Sequence, residues 1–393
     1  MLFQALDDKR ECLGIYSAGE LHYSQFPETL TRTWGYSPVC SGRDVEYAQI
    51  YSGGNSLSSV CPEDLKDDFS IVSSKMMAFL RSFDKSKIDL SENCFYDMVP
   101  QRFLLDFYSV KDAICQRIFD NSSKPVNHDF LAKIAEMVYD ISCQDFPLNR
   151  SALDRFWTDP AASNLRKKIG PLNSVRYNMF GTVTGRLTTF KNSFPILTLD
   201  KKFRNVVEPV NDLLVEVDYN AAELRTLLGL SGVTQPVGDI HAWNMQNIFP
   251  EAQSRDAAKK SIFSWLYNPE SSNKMAEKYY LREDLIEKYY DGQVVTTPMG
   301  REVESTRRTA LNYLIQSTSS DIFLNSAYGV WSGMKGMRSS VRFLVHDSLL
   351  LDVCESEMAE VTRLIDIFSK TPLGEYVTGV SVGKSYGNMR KIR

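Results

Sequence analysis

The chain has 393 residues, of which 43% are hydrophobic and 24% are charged, and its formal net charge is −4 at pH 7. This length suffices for two or three domains with cores of their own, in an ordinary soluble globular protein. No apolar run approaches the about 20 residues of a membrane-spanning helix, and the N-terminus lacks the pattern of a signal peptide. The seven cysteines are scattered and never form Cys-x-x-Cys pairs, which predicts free thiols in a cytoplasmic protein.

The sequence patterns of the N-terminal third predict a small domain that contains both strands and helices. Short strands and turns are indicated up to about residue 60, and helical spacing of apolar residues follows over 64–120. A further helix is predicted over 128–140. Prolines then divide the chain into short pieces up to about residue 171.

A basic segment lies between Arg166 and Arg204, where nine Lys or Arg residues accompany a single Asp. Aromatic residues alternate with these cations, and such a composition can line a groove for nucleic acid. A solvated loop with a few buried aromatic residues explains the same pattern. Taken alone, the segment favours that simpler interpretation.

Two apolar strands in the C-terminal half each end in an aspartate. The first is predicted over 213–218 and the second over 341–347, with an antiparallel return strand after a tight turn. If both belong to one sheet, Asp218 and Asp347 present oxygens to hard divalent cations, as two-metal phosphoryl transfer requires. Because strand-terminal Asp residues are common, the pair alone leaves a structural role equally open. The helices predicted in this half cover residues 221–230, 256–266, 276–290 and 306–330.

A basic and aromatic helix face lies between the two strands. Arg255, Lys259, Phe263 and Tyr267 follow one another at i, i+4 spacing and therefore share one face. Such a face can pair a triphosphate with its two cations and stack a base on its two rings. The alternative is an amphipathic helix with its aromatic residues in a core and its cations in solvent.

Together these segments resemble the family A DNA polymerases, the group of bacterial DNA polymerase I and many phage replicases. Residues 218–225 resemble motif A, usually Asp-Tyr-Ser-Gln-Ile-Glu-Leu-Arg, 255–267 resemble motif B, and 345–347 resemble motif C. Further matches in the same order are Thr184 to Thr188, similar to Thr-Gly-Arg-Leu-Ser, Asp239 to His241, similar to Asp-Ile-His, and a palm helix with Arg308, Asn312 and Gln316. The resemblance covers about residues 181–393.

The resemblance implies an α+β fold shaped as a right hand, with an antiparallel palm sheet, helical fingers, a reduced thumb and a small N-terminal domain. The corresponding divisions are 1–120 for the N-terminal domain, 121–180 for the thumb, 181–235 and 301–393 for the palm, and 236–300 for the fingers. The implied function is template-directed DNA synthesis in replication, without proofreading, by a phage-type or bacterial enzyme.

The resemblance also implies a role for each matched residue. Asp218 and Asp347 would bind two Mg²⁺ ions, which Mn²⁺ can replace, together with the backbone carbonyl of Tyr219. Lys259 would act as the general acid for pyrophosphate. The residues implied to bind the dNTP are Arg255, Lys259, Phe263, His241, Glu223 and Tyr267. The residues implied to contact primer–template DNA are Arg186, Arg308, Asn312, Gln316, His346 and, as a weaker match, Arg204.

Glu223 favours a DNA polymerase over the alternative functions. In the family this position crowds the 2′ carbon of the sugar, whereas single-subunit RNA polymerases carry a small residue there. Ser348 stands where motif C usually has Glu, which puts the third carboxylate in doubt. A single-subunit RNA polymerase and a catalytically weak, polymerase-derived DNA-binding factor remain the alternatives.

The sequence gives fewer indications of the structure and function of the N-terminal domain and the thumb. Tyr108 to Asp112 loosely resembles an element of proofreading exonucleases, Asp44 to Glu46 matches Asp-x-Glu only by letter, and Leu6 to Lys9 ends in Lys where Glu is needed. We expect an exonuclease-like remnant that does not cut, with an unrelated small domain as the alternative. The short segment before Thr184 predicts a reduced thumb with few phosphate contacts, low processivity and an accessory replication protein as partner.

Overall fold

The computed structural model describes residues 1–6, 13–90, 92–170, 173–268 and 270–393. Within these ranges the chain forms two compact units, Met1–Tyr139 and Asp140–Arg393. The first unit extends past residue 120, the sequence-based boundary, and it includes most of the helix predicted over 128–140. None of the helices in these ranges combines the length and the apolar character that crossing a membrane requires.

The first unit joins short strands to longer helices. An antiparallel sheet has the order β1-β2-β3, and β4 pairs with β5 in parallel. The strands are β1 (Gln4–Ala5), β2 (Ile15–Ser17), β3 (Glu20–His22), β4 (Arg32–Thr33) and β5 (Glu46–Tyr47). The helices are α1 (Ala48–Tyr51), α2 (Leu57–Val60), α3 (Lys66–Lys85), α4 (Gln101–Asn121) and α5 (His128–Ser142).

The residues considered for an exonuclease have partners inside this unit. The hydroxyl of Tyr108 donates to the carbonyl of Leu6 at 2.8 Å, and Asp112 accepts from the Gln4 amide at 3.2 Å. Glu46 lies on β5 and accepts from Arg32 at 2.9 Å. The candidate stretch at residues 7–9 falls outside the described residues. The exonuclease-like remnant stays a prediction.

The expectation of free thiols throughout is wrong for Cys94, which is disulfide-bonded. Sequence spacing gives no measure of the distance between two cysteines in the fold, so this bond could not be predicted. Among the described residues the free cysteines are Cys40, Cys61, Cys115, Cys143 and Cys354, and all of these except Cys143 are buried.

The second unit is built on a five-stranded antiparallel sheet of order β11-β12-β8-β15-β16. Its strands are β8 (Leu213–Tyr219), β11 (Ser340–Val345), β12 (Ser348–Val353), β15 (Thr378–Gly383) and β16 (Arg390–Lys391). Shorter pairs are formed by β6 (Tyr177–Asn178) with β7 (Thr188–Thr189), β9 (Val294–Thr296) with β10 (Glu302–Glu304), and β13 (Lys370–Thr371) with β14 (Gly374–Glu375). This sheet and the helices below confirm the predicted α+β class with an antiparallel sheet.

Eight helices are described in the second unit. They are α6 (Pro160–Lys168), α7 (Ala222–Leu230), α8 (Ile240–Asn247), α9 (Arg255–Tyr267), α10 (Lys274–Tyr280), α11 (Arg282–Tyr289), α12 (Arg307–Gly333) and α13 (Met358–Ser369). The long helix α12 packs against α7, α13 and β11, so it supports the sheet and the smaller helices together. One helix was predicted over 276–290, but the chain breaks at Leu281, whose φ of 46° is left-handed.

Candidate active site

The two strand-end aspartates lie side by side. Asp218 pairs with Ser348 on β12 and with Gly379 on β15. Both neighbours are small, so the Asp218 carboxylate remains accessible to solvent. Asp347 lies in the two-residue turn between β11 and β12, next to the residue that faces Asp218. The register of the sheet thus brings the two acids together, although 129 positions separate them in the chain.

The surroundings favour protonation of both carboxylates. The pKa of Asp218 is raised to about 7, first by loss of hydration and then by the negative charges of Asp347 and Glu216. Burial also raises the pKa of Asp347, while the nearby Arg186 cation opposes that rise. Two acids whose charged forms are disfavoured fit a divalent cation, which would stabilise both.

Tyr219 anchors the end of β8. Its side chain is buried, its hydroxyl donates to the carbonyl of Phe368 at 2.7 Å, and its ring stacks on Phe368 with centroids 4.4 Å apart. These contacts join the strand end to α13. Because Tyr219 directly follows Asp218, they limit the movement of that aspartate.

Glu223 brings three predicted residues into one group. It lies in the first turn of α7 and accepts from the Arg186 guanidinium at 2.6 Å. Its other carboxylate oxygen accepts from the Tyr267 hydroxyl at the end of α9. The negative charge of Glu223 also acts on Asp347, which places the group beside the aspartates. We call Arg186, Glu223 and Tyr267 the Glu223 group.

A buried ion pair supports the loop that carries Arg186. Arg301 donates to Asp321 through Nε at 3.0 Å and through Nη2 at 2.6 Å, and Asp321 has no solvent exposure. Gly185 has a φ of +76°, and a Cβ there would lie 2.5 Å from the Arg301 guanidinium. The Ser320 hydroxyl donates to the Gly185 carbonyl at 3.0 Å. Sequence reasoning missed this pair, although a charge inside a helix of small and apolar residues indicates a buried partner.

The start of α9 is tied to α8 by Arg255. Its guanidinium donates to both carboxylate oxygens of Asp239, at 2.9 and 2.6 Å. Asp239 also caps α8 by accepting from the amide of Ala242 at 2.8 Å. Arg255 lowers the pKa of Asp239, so this carboxylate stays ionised.

The remaining predicted residues of α9 line its exposed face. Lys259 is exposed and borders an open depression together with Phe263. Phe263 stacks on Tyr267 with centroids 6.0 Å apart and rings 5° from parallel. His241 is buried near Phe263, and loss of hydration lowers its pKa to about 4, with the Arg255 cation adding to this effect. His241 is therefore neutral at pH 7.

The residues predicted to contact DNA occupy several places. Arg308 is exposed in the first turn of α12, and Gln316 donates to Asn312 at 2.8 Å on the same helix. His346 is exposed in the turn beside Asp347, with a left-handed φ of 56°. Arg204 instead lies over the Tyr386 ring, 4.3 Å from its centroid, and is half-buried.

The basic segment is partly neutralised within the chain. Lys202 pairs with Asp159 at 2.5 Å, and the Arg176 guanidinium lies 5.7 Å from the centroid of the Phe190 ring. These contacts favour neither interpretation of the segment by themselves, because four of its other cations stay exposed, namely Lys167, Lys168, Lys191 and Lys201.

Three known proteins whose sequences are similar to this chain are DNA polymerases. The chain is 26% identical to the DNA polymerase of Bacillus phage SP01 over 310 residues, 58% of this chain and 33% of that protein. It is 27% identical to the thermostable DNA polymerase I of Thermus aquaticus and 26% identical to DNA polymerase I of Chloroflexus aurantiacus. Those matches cover 53% and 54% of this chain, and 31% and 28% of those proteins. The chain thus aligns with about a third of the length of these curated relatives. No protein-family model matches the chain.

A solved structure shares the fold. The POL domain of Pol1 from M. smegmatis, in complex with DNA primer-template and dNTP, matches with a TM-score of 0.64 over 98% of this chain and 95% of that chain. Sequence identity across this match is 12%, so the similarity concerns the fold alone.

Proposed function

We propose that this chain, which is related to the DNA polymerase I-type enzymes of family A, is a template-directed DNA polymerase. The observation that carries the proposal is the position of Asp218 and Asp347 at adjacent strand ends, beside the Glu223 group. In the reaction the primer 3′-oxygen bonds to the α-phosphorus of a dNTP, and the bond to the departing pyrophosphate breaks.

Asp218, Asp347 and the carbonyl of Tyr219 would hold two Mg²⁺ ions, with Mn²⁺ able to replace them. When bound, such ions supply charge neutralisation at the phosphate and lower the pKa of the primer hydroxyl. The chain's own part is to hold the two carboxylates together, which the sheet register and the anchoring of Tyr219 on Phe368 accomplish.

The face of α9 would bind the triphosphate. Lys259 is free in solvent to reach the phosphates and to protonate the departing pyrophosphate. Arg255 uses Nε and Nη2 on Asp239 and contacts Asp256 through Nη1 at 3.5 Å, which leaves one further N–H on each of Nη1 and Nη2 for a phosphate oxygen. His241, neutral at pH 7, would donate a single N–H, and Tyr267 and Phe263 would flank the base and sugar.

The Glu223 group would select the sugar and hold the primer end. Two hydrogen bonds fix the Glu223 carboxylate, so it cannot easily turn away from a ribose 2′-hydroxyl. Arg186 and Gln316 would contact the minor-groove edges of the terminal pair, where pair shape is checked without reading sequence. Arg308, Asn312, His346 and Arg204 would contact the DNA backbone or template.

The domain roles belong to the same proposal. Residues 181–235 and 301–393 would form the palm, 236–300 the fingers and 121–180 a short thumb, with residues 1–120 as a separate N-terminal domain without proofreading activity. A short thumb implies low processivity and an accessory replication protein, inside a cell.

Primer extension tests the proposal. The chain is incubated with Mg²⁺, a primer–template and either dNTPs or rNTPs, together with Asp347→Asn and the exposed control Asp366→Asn. We expect templated dNTP addition that Asp347→Asn abolishes and Asp366→Asn preserves. Preference for rNTPs would support an RNA polymerase instead, and DNA binding without extension would support a non-catalytic binding factor.

A further inference from the structure

The segment that resembles motif C has one carboxylate, Asp347, where the family usually has two. Ser348 follows Asp347, where the resembling family usually has Glu. The Ser348 side chain is buried, and its hydroxyl donates to the carbonyl of Val345 at 3.0 Å, which keeps it within the hairpin. Ser348 therefore supplies no charge to the aspartates, although it pairs directly with Asp218 across the sheet.

Glu216 lies next to this position from the neighbouring strand. It precedes Asp218 by two residues on β8, so both side chains lie on the same face of the sheet. The Ser348 hydroxyl lies 3.3 Å from Glu216 Oε1 and shares its single proton between this oxygen and the Val345 carbonyl, while the Tyr386 hydroxyl donates to the same Glu216 oxygen at 3.3 Å. The Glu216 carboxylate is thus held beside the place where a Glu at position 348 would begin.

Glu216 adds negative charge beside the two aspartates. Within the described residues it forms no ion pair, and the donors to its carboxylate are two neutral hydroxyls. Its charge acts on Asp218 together with that of Asp347, against a smaller opposing effect of the Lys391 cation, so a divalent cation bound at the strand ends would offset all three carboxylate charges. The adjacent accessible carboxylates of Asp218 and Asp347 are where a cation would bind.

We propose that Glu216 provides the third carboxylate charge of the metal-binding strand ends, in place of the Glu that Ser348 replaces. This inference rests on the proposed function. Glu216 is a positioning residue and not a ligand, because its carboxylate is held by the Ser348 and Tyr386 hydroxyls. It acts through its charge and through Ser348, in the way that outer-shell groups strengthen metal binding.

Mn²⁺ binding measures this role without requiring turnover. Free Mn²⁺ is titrated by electron paramagnetic resonance against the full chain without DNA. The variants are Glu216→Gln, the control Glu208→Gln, and an exchange variant that combines Glu216→Ser with Ser348→Glu. Glu208 is a suitable control because it is also half-buried and accepts one side-chain hydrogen bond, from Asn149 at 2.6 Å. Thermal unfolding of each variant reports whether it is folded.

We expect Glu216→Gln to raise the Mn²⁺ dissociation constant at least about tenfold, as is typical when an outer-shell partner is lost. Glu208→Gln should leave it unchanged. The exchange variant should recover most of the affinity, because it returns the carboxylate to the face of Asp218 at similar total volume. If Glu216 had only a structural role, the exchange variant should not recover Mn²⁺ affinity.

Two results would overturn the inference. One is a Glu216→Gln dissociation constant within twofold of the wild type; the other is a folded exchange variant that binds as weakly as Glu216→Gln. If the wild type extends primers while either result holds, the inference fails and the polymerase function stands. If Glu216→Gln weakens Mn²⁺ binding in a chain that extends no primer, the metal site stands and the polymerase function fails.

Discussion

Removal of Arg301 should destabilise the second unit strongly. Asp321 is completely buried, and Arg301 is the cation that pairs with it, through contacts of 3.0 and 2.6 Å. In Arg301→Met the carboxylate would remain buried without compensation, which costs about 3–5 kcal/mol in comparable buried pairs. At about 2–4 °C per kcal/mol for a unit of this size, the melting temperature should fall by roughly 6–20 °C.

The loss of stability caused by Arg301→Met should become larger as the pH rises. Burial already raises the pKa of Asp321 above its usual value, and Arg301 opposes that rise. Without Arg301 the pKa rises further, so the folded variant takes up a proton more readily than the unfolded chain. Its stability is therefore retained at low pH and lost as the pH rises from the usual Asp pKa through the raised one. The difference between variant and wild type should be smaller at pH 5 than at pH 8.

Urea unfolding at both pH values, followed by circular dichroism, measures these differences. Arg307→Met is the matched control, because Arg307 forms an exposed ion pair with Glu283 at 2.8 Å and should contribute below about 1 kcal/mol. Adding Asp321→Asn to Arg301→Met should restore part of the stability, since no buried charge then remains. A loss below about 1 kcal/mol in Arg301→Met, or a loss independent of pH, would refute the reasoning.

Three further variants test the nucleotide site. Glu223→Ala should raise ribonucleotide insertion sharply, because it opens the space at the 2′ position and frees Arg186 and Tyr267. Single-nucleotide insertion kinetics measure this change, and unchanged discrimination against rNTPs would show that Glu223 does not select the sugar. Phe263→Tyr should increase dideoxynucleotide incorporation, as the resemblance implies, and a chain-termination assay compares the two proteins directly. Asp239→Asn keeps an oxygen for the α8 cap but removes the charge that holds Arg255. The KM for dNTP should therefore rise while the melting temperature changes little. An unaltered KM would argue against Arg255 as a phosphate ligand.

Much of the second unit follows from local sequence patterns. Strand β8, the hairpin of β11 and β12, and helices α7, α9 and α12 were all predicted within a few residues of their observed bounds. Strand and helix periodicities act between near neighbours in the chain, so a single sequence contains them. The position of Asp218 and Asp347 at strand ends, and the shared face of Arg255 and Lys259, are consequences of the same short-range rules.

Other features were decided by tertiary packing. The Glu223 group joins positions 37 and 44 residues apart, and the ion pair of Arg301 with Asp321 joins a loop to a helix interior. The break at Leu281 follows from a backbone conformation that helical periodicity does not encode. Such contacts depend on which surfaces meet when elements pack, and residue type restricts that choice without determining it. The elements and the chemistry of their side chains could therefore be predicted from local patterns, whereas the choice of partner for each charge, including Glu216 beside Ser348, depends on how the elements pack.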